Sequence, residues 1–193
     1  MFNQSEFNQF ILENNVVQRL DKPITLTSGR SSDWYVNWRD VGSDAYLLNK
    51  LTDFIVEFIV TNKIDVDTIY GVPEGATKMA VIAGMKLAQQ KRCTKGSHII
   101  AMGRAKPKEH GMAKDRYFIG MPKGKTLLLE DTTTTGGSLV STMTTLQEAG
   151  IKIFGILTLT DRNELRDDGK TISQFFKEKG MPYYAMSSGK DLK

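Results

Sequence analysis

The stretch Thr126-Leu-Leu-Leu-Glu130-Asp131-Thr132-Thr133-Thr134-Thr135-Gly136-Gly137-Ser138, followed by an amphipathic segment from Leu139, decides the fold. Its apolar opening predicts a buried strand over 126–130, and the spacing beyond predicts a helix over 138–149 that Gly150 stops. Between them lies a loop of hydroxyls and glycines. Gly136 and Gly137 let backbone N–H groups come close to an anion, and the first-turn amides of the helix favour a phosphate. The hydroxyls of Thr134, Thr135 and Ser138 add donors. Glu130 and Asp131 would repel a phosphate that they faced, so they suit the vicinal hydroxyls of an attached sugar. A sugar phosphate satisfies both halves. Just upstream, Gly124-Lys125-Thr126 imitates a nucleoside-triphosphate P-loop, but Gly120 is one residue too close and the triplet precedes a strand where a P-loop follows one.

Working outward, short apolar runs at Thr68–Val72, His98–Met102 and Ile153–Thr160 predict further strands, with a helix over 76–89 between the first two. Phe7, Phe10 and Ile11 mark an N-terminal helix. Ile24–Thr27 and Trp34–Trp38 read as strands of a hairpin turning through Ser28-Gly-Arg-Ser-Ser32, and a long helix follows with Ser43 or Asp44 as its cap. The expected architecture is one α/β domain over residues 1–193. It has a mainly parallel twisted sheet with helices on both faces, plus a small N-terminal hairpin or hood. Ligands of such sheets bind beyond the carboxyl ends of the strands.

Composition narrows the function classes. The chain has 193 residues, 40% hydrophobic and 25% charged, an ordinary globular balance. One cysteine excludes an intramolecular disulfide. The stretch 1–10 carries Glu6 and no basic residue, unlike a secretory signal, and Glu57 interrupts the most apolar run, Phe54–Val60. A soluble, cytoplasmic protein without a membrane partner is expected. The net charge of +4 is uneven: residues 104–125 hold seven Lys or Arg against two acids, a local +5, which leaves −1 for the rest. That concentration suits one compact polyanion site better than a nucleic-acid-binding face.

The 126–138 segment resembles the phosphoribosyl pyrophosphate (PRPP) loop of type I phosphoribosyltransferases. Other segments narrow the resemblance to the orotate phosphoribosyltransferase family: Ile24–Ser32 with Trp34-Tyr-Val-Asn37 resembles its early hairpin, and Gly71-Val-Pro73 its first pyrophosphate loop. Arg104-Ala-Lys-Pro-Lys108-Glu-His110-Gly111 resembles its mobile catalytic loop, and Asp161-Arg-Asn-Glu164 its base-recognition turn. The resemblance implies transfer of phosphoribose from PRPP to orotate with Mg²⁺ held mainly by PRPP and water. It implies Lys108, His110 and Asp131 as catalytic residues, and PRPP binding by Arg104, Lys108, His110 and the run Glu130 to Ser138. Orotate would meet Thr134, Arg162, Tyr35 and Val36, although an aromatic strand in a hairpin also suits a core. It further implies a homodimer in which the 104–116 loop reaches the partner's site, and it leaves the protonation state of His110 open.

Four positions depart from the family pattern. Thr27, Gly75 and Ala105 stand where lysines are common, and Glu74 where a tyrosine is common. Three missing cations and one added acid predict weaker pyrophosphate binding, with Lys106 and Lys78 as candidate substitutes. Two other readings therefore stand beside the first: a PRPP-dependent transferase for another nucleobase, and a PRPP-binding regulator without turnover.

Overall fold

In the computed structural model, which describes every residue except 27, 105, 111, 113–115 and 193, four parallel strands run side by side in the order β3-β6-β7-β8. They are β3 (Thr68–Gly71), β6 (Thr126–Thr133), β7 (Ile153–Asp161) and β8 (Tyr183–Ser188). Strand alternation divides the interior in two. Leu127 and Leu129 of β6 join one cluster with Leu157, Leu159 and the helices α1 (Gln4–Glu13), α3 (Ala45–Thr61) and α4 (Thr77–Gln90). Leu128 and Ile156 join the other, with α5 (Gly137–Glu148) and α6 (Ile172–Glu178). Because successive side chains point to opposite faces, an unbroken apolar run is what a strand covered on both faces requires.

The local signals act as expected at several ends. Asp44 caps α3 by accepting the Leu47 N–H at 2.9 Å, and Gly150 closes α5 with φ +77°. The hairpin is present but longer at its first strand: β1 (Val17–Thr25) pairs antiparallel with β2 (Ser31–Val36), with an irregularity between Arg19 and Ile24. Short α2 (Trp38–Val41) follows it, capped by Asn37.

Two expectations need correction. The stretch 98–102 is not a strand of the main sheet; only β4 (Met102–Gly103) is extended, and it pairs antiparallel with β5 (Phe118–Ile119) as the base of a separate hairpin. His98 therefore begins no strand; its Nδ1 lies 2.9 Å from Ser97 Oγ. The fourth strand is instead β8, preceded by α6, whose Thr171–Gln174 capping box the apolar pattern did not bring out. The chain ends in α7 (Gly189–Leu192). Thr27, Ala105 and Gly111 lie outside the described residues.

Candidate active site

The carboxyl ends of β3, β6 and β7 open into a cleft of about 650 Å³, roofed by the β1–β2 hairpin. All nine residues from Glu130 to Ser138 line it, as do Tyr35, Val36 and Arg162. Phosphate-type and base-type candidates, far apart in sequence, thus face one space.

At the phosphate end, Gly136 adopts φ +76° and α5 starts directly after it with no side-chain cap. Its left-handed backbone favours glycine, and a Cβ there would stand 2.3 Å from Ile172 Cδ1. The first-turn amides of α5 are thereby left to a ligand. The Thr135 carbonyl is held by Arg166 Nη1 at 2.6 Å, and that guanidinium stacks on Phe175, 4.2 Å from its centroid. Sequence reading missed Arg166, which acts on the loop from outside it.

The two carboxylates differ sharply. Glu130 is 6% exposed, and burial, reinforced by the neighbouring Asp131 charge, pushes its pKa up to about 9, so it is protonated at neutral pH. Asp131 is half-buried, accepts the Thr132 N–H at 2.7 Å and lies against Gly75. Asp131 thus differs from Glu130 in exposure and in its partners. Thr133 differs from its neighbours, because its hydroxyl donates to Thr158 Oγ1 at 3.0 Å and its carbonyl accepts the Arg162 N–H at 2.9 Å.

Arg162 is no surface ion pair. Its side chain is 2% exposed and lies 3.8 Å above the Trp34 ring. Nε donates to Glu164 at 2.7 Å, Nη2 to Ser32 Oγ at 2.7 Å, and Nη1 to the Trp34 carbonyl at 3.3 Å. Three of its five N–H groups are used, which fixes the plane of the guanidinium. The turn itself is pinned by Asp161, which accepts from the Asn163 N–H at 2.7 Å and from the Tyr183 hydroxyl at 3.0 Å. Burial raises the pKa values of both Asp161 and Tyr183. Glu164 also faces Arg30 of the hairpin at 3.7 Å, so one carboxylate links the roof to the base-type arginine.

Arg104, Lys108 and His110 do not line this cleft. They lie beyond β4, where the Arg104 N–H donates to the Tyr117 carbonyl and the Lys108 N–H to the Arg116 carbonyl; Lys108 and His110 are exposed. Neither Lys78 nor Lys106 lines it either, whereas Arg39, which the sequence did not single out, does.

The chain matches no protein-family profile. It is 35% identical over 175 residues to an orotate phosphoribosyltransferase of Rhodopseudomonas palustris, covering 84% of this chain and 83% of that protein. A crystal structure of orotate phosphoribosyltransferase from Francisella tularensis superposes with a TM-score of 0.71 at 22% identity, over 97% of this chain and 87% of that one. The Mycobacterium tuberculosis orotate phosphoribosyltransferase solved with PRPP superposes with a TM-score of 0.64 at 19% identity, over 98% of each chain. Those two likenesses establish the fold. The sequence identity, sustained across more than four-fifths of both proteins, establishes the rest: this chain belongs to the orotate phosphoribosyltransferase family.

Proposed function

We propose that this protein transfers the 5-phosphoribosyl group of PRPP to orotate, giving orotidine 5′-monophosphate and pyrophosphate. The observation that carries the reading is the single cleft in which the 130–138 loop meets Arg162, Tyr35 and Val36. The 5′-phosphate sits on the first-turn amides of α5 with the hydroxyls of Thr134, Thr135 and Ser138. Asp131 accepts from the ribose hydroxyls, beside the buried acid of Glu130. The base lies between Tyr35, Val36, Thr134 and the guanidinium of Arg162, whose planar fork suits an anionic pyrimidine.

Displacement at the anomeric carbon forms the bond to the base as the C–O bond to pyrophosphate breaks. Charge grows on the leaving group, so cations placed there lower the barrier. Arg104, Lys108 and His110 supply them from the loop beyond β4, delivered to the cleft of a partner subunit in a cytoplasmic homodimer. Among the nearby acids, Asp131 is one half-buried carboxylate beside a Glu130 whose pKa burial raises to about 9, a sparse donor set that fits Mg²⁺ carried in by substrate phosphates and water. When bound, the ion neutralises pyrophosphate charge.

The test supplies PRPP, Mg²⁺ and orotate and follows the loss of orotate absorbance together with pyrophosphate release. Turnover with orotate above that with uracil, adenine, hypoxanthine or guanine supports the reading. Turnover with another base alone reassigns the substrate, and PRPP binding without turnover of any base makes the protein a PRPP-binding regulator.

A further inference from the structure

We propose that Arg39 binds the pyrophosphate group of PRPP, as a cation at the end of the cleft beside Gly75. The inference rests on the PRPP reading above and adds a residue to it.

Two independent observations carry it. The first is the state of the Arg39 side chain. Its backbone is held at both sides, the N–H donating to Asn37 Oδ1 at 3.2 Å and the carbonyl accepting from Ser43 Oγ at 2.7 Å. Arg39 lines the cleft, is exposed, and its side chain makes no hydrogen bond or ion pair among the described residues. Arg162, the other described cation on the cleft wall, has three N–H groups committed to Glu164, Ser32 and Trp34. Arg39 is thus the lining cation with its full donor set available.

The second observation is placement. Gly42, at the end of α2, packs on the first turn of α4: a Cβ on Gly42 would lie 3.2 Å from Met79 Cε. The start of α4 directly follows the loop Pro73-Glu74-Gly75, so Arg39 stands beside that loop and faces the same space. That end of the cleft is otherwise acidic, with Glu74 exposed and Asp131 against Gly75. A lysine at 75 could not join them without moving Asp131, because any Cβ there would sit 2.3 Å from Asp131 Oδ2. A cation reaching in from α2 keeps Asp131 in place and still presents a bidentate donor to phosphate oxygens.

The experiment titrates PRPP, inorganic pyrophosphate and ribose 5-phosphate, each with Mg²⁺, into the wild-type protein and into Arg39→Ala and Arg39→Lys by calorimetry, with melting curves to verify folding. Arg39→Ala is expected to weaken PRPP and pyrophosphate by about 10- to 100-fold, the worth of a charged hydrogen-bonding partner. Ribose 5-phosphate affinity and the KM for orotate should hold, and Arg39→Lys should recover part of the loss. Unchanged pyrophosphate affinity in a folded Arg39→Ala protein would overturn the assignment. So would a loss confined to orotate, which would move Arg39 to the carboxylate of the base. A wild-type protein that binds neither PRPP nor pyrophosphate removes this inference together with the proposed function. One that binds PRPP normally but turns over no orotate removes only the transferase activity, and the binding comparison still decides Arg39.

Discussion

Asp131 rests on the bare backbone of Gly75, and a Cβ at position 75 would lie 2.3 Å from its Oδ2 and 2.7 Å from its Cγ. The absence of a side chain at 75 is therefore matched to the presence of this carboxylate. Gly75→Lys should lower kcat/KM for PRPP by roughly 10-fold or more by displacing Asp131. Gly75→Ala should do the same with a stability change under about 1 kcal/mol, since the Asp131 side chain that its Cβ meets can rotate away. Steady-state kinetics beside urea unfolding separates the two effects; a gain in PRPP affinity from Gly75→Lys would contradict the argument.

Glu164 holds both Arg162, at 2.7 Å, and Arg30, at 3.7 Å. Glu164→Ala leaves a buried guanidinium with one partner fewer and loosens the hairpin roof. A destabilisation of about 1–3 kcal/mol is expected, together with a raised KM for orotate and a smaller change in the KM for PRPP. Equal rises in both constants would mean that the whole cleft, rather than its base end, had shifted.

Glu130 gives a pH dependence with a definite sign. Its folded-state pKa is raised from an ordinary value near 4.5 to about 9, so the folded protein keeps a proton that the unfolded chain releases. The stability this contributes is complete below the lower value and is lost as pH rises towards 9, at up to about 1.4 kcal/mol per unit. Asp161, raised by burial, acts in the same direction. Glu130→Gln should flatten the decline of ligand-free stability between pH 5.5 and 8.5 in urea unfolding; an unaltered slope would place the titration elsewhere.

Shared sites can be tested by complementation. Lys108→Ala and Asp131→Ala are each expected to be inactive, one through the delivered loop and the other through the receiving cleft. Mixing the two with subunit exchange should regenerate one intact site per mixed dimer and restore roughly a quarter of wild-type activity, from statistical reassortment of two chains. Exchange confirmed by mass with no recovered activity would assign each site to one chain.

The parts of this fold that sequence displays are those where local preference and burial agree. Leu127, Leu128 and Leu129 sit between two cores and had to be apolar throughout, so β6 could be read directly. The β1 strand could not: from Arg19 to Thr25 its residues are largely exposed and include Pro23, so no alternation announces it. The stretch 98–102 is apolar because Ala101 is buried and Ile99 packs against the second core, a demand that needs no strand hydrogen bonding. The same division holds in the cleft. Residues 130–138 announce themselves because neighbours in sequence are neighbours in space. Arg39 joins the cleft from another element, while Arg166 and the Ser32–Trp34 platform beneath Arg162 support it from outside, and none stands out in its own segment.

The open start of α5 gives the substrate a structural part. Helices ordinarily complete their first turn with a Ser, Thr, Asn or Asp of their own, worth about 1 kcal/mol. Here Gly136 takes a left-handed φ of +76° and brings no side-chain oxygen, so under the proposed function an incoming phosphate would serve as the capping group. The start of α5 is thus left without a cap of its own, and under the proposed function part of the affinity for PRPP would be the deferred completion of that helix's backbone.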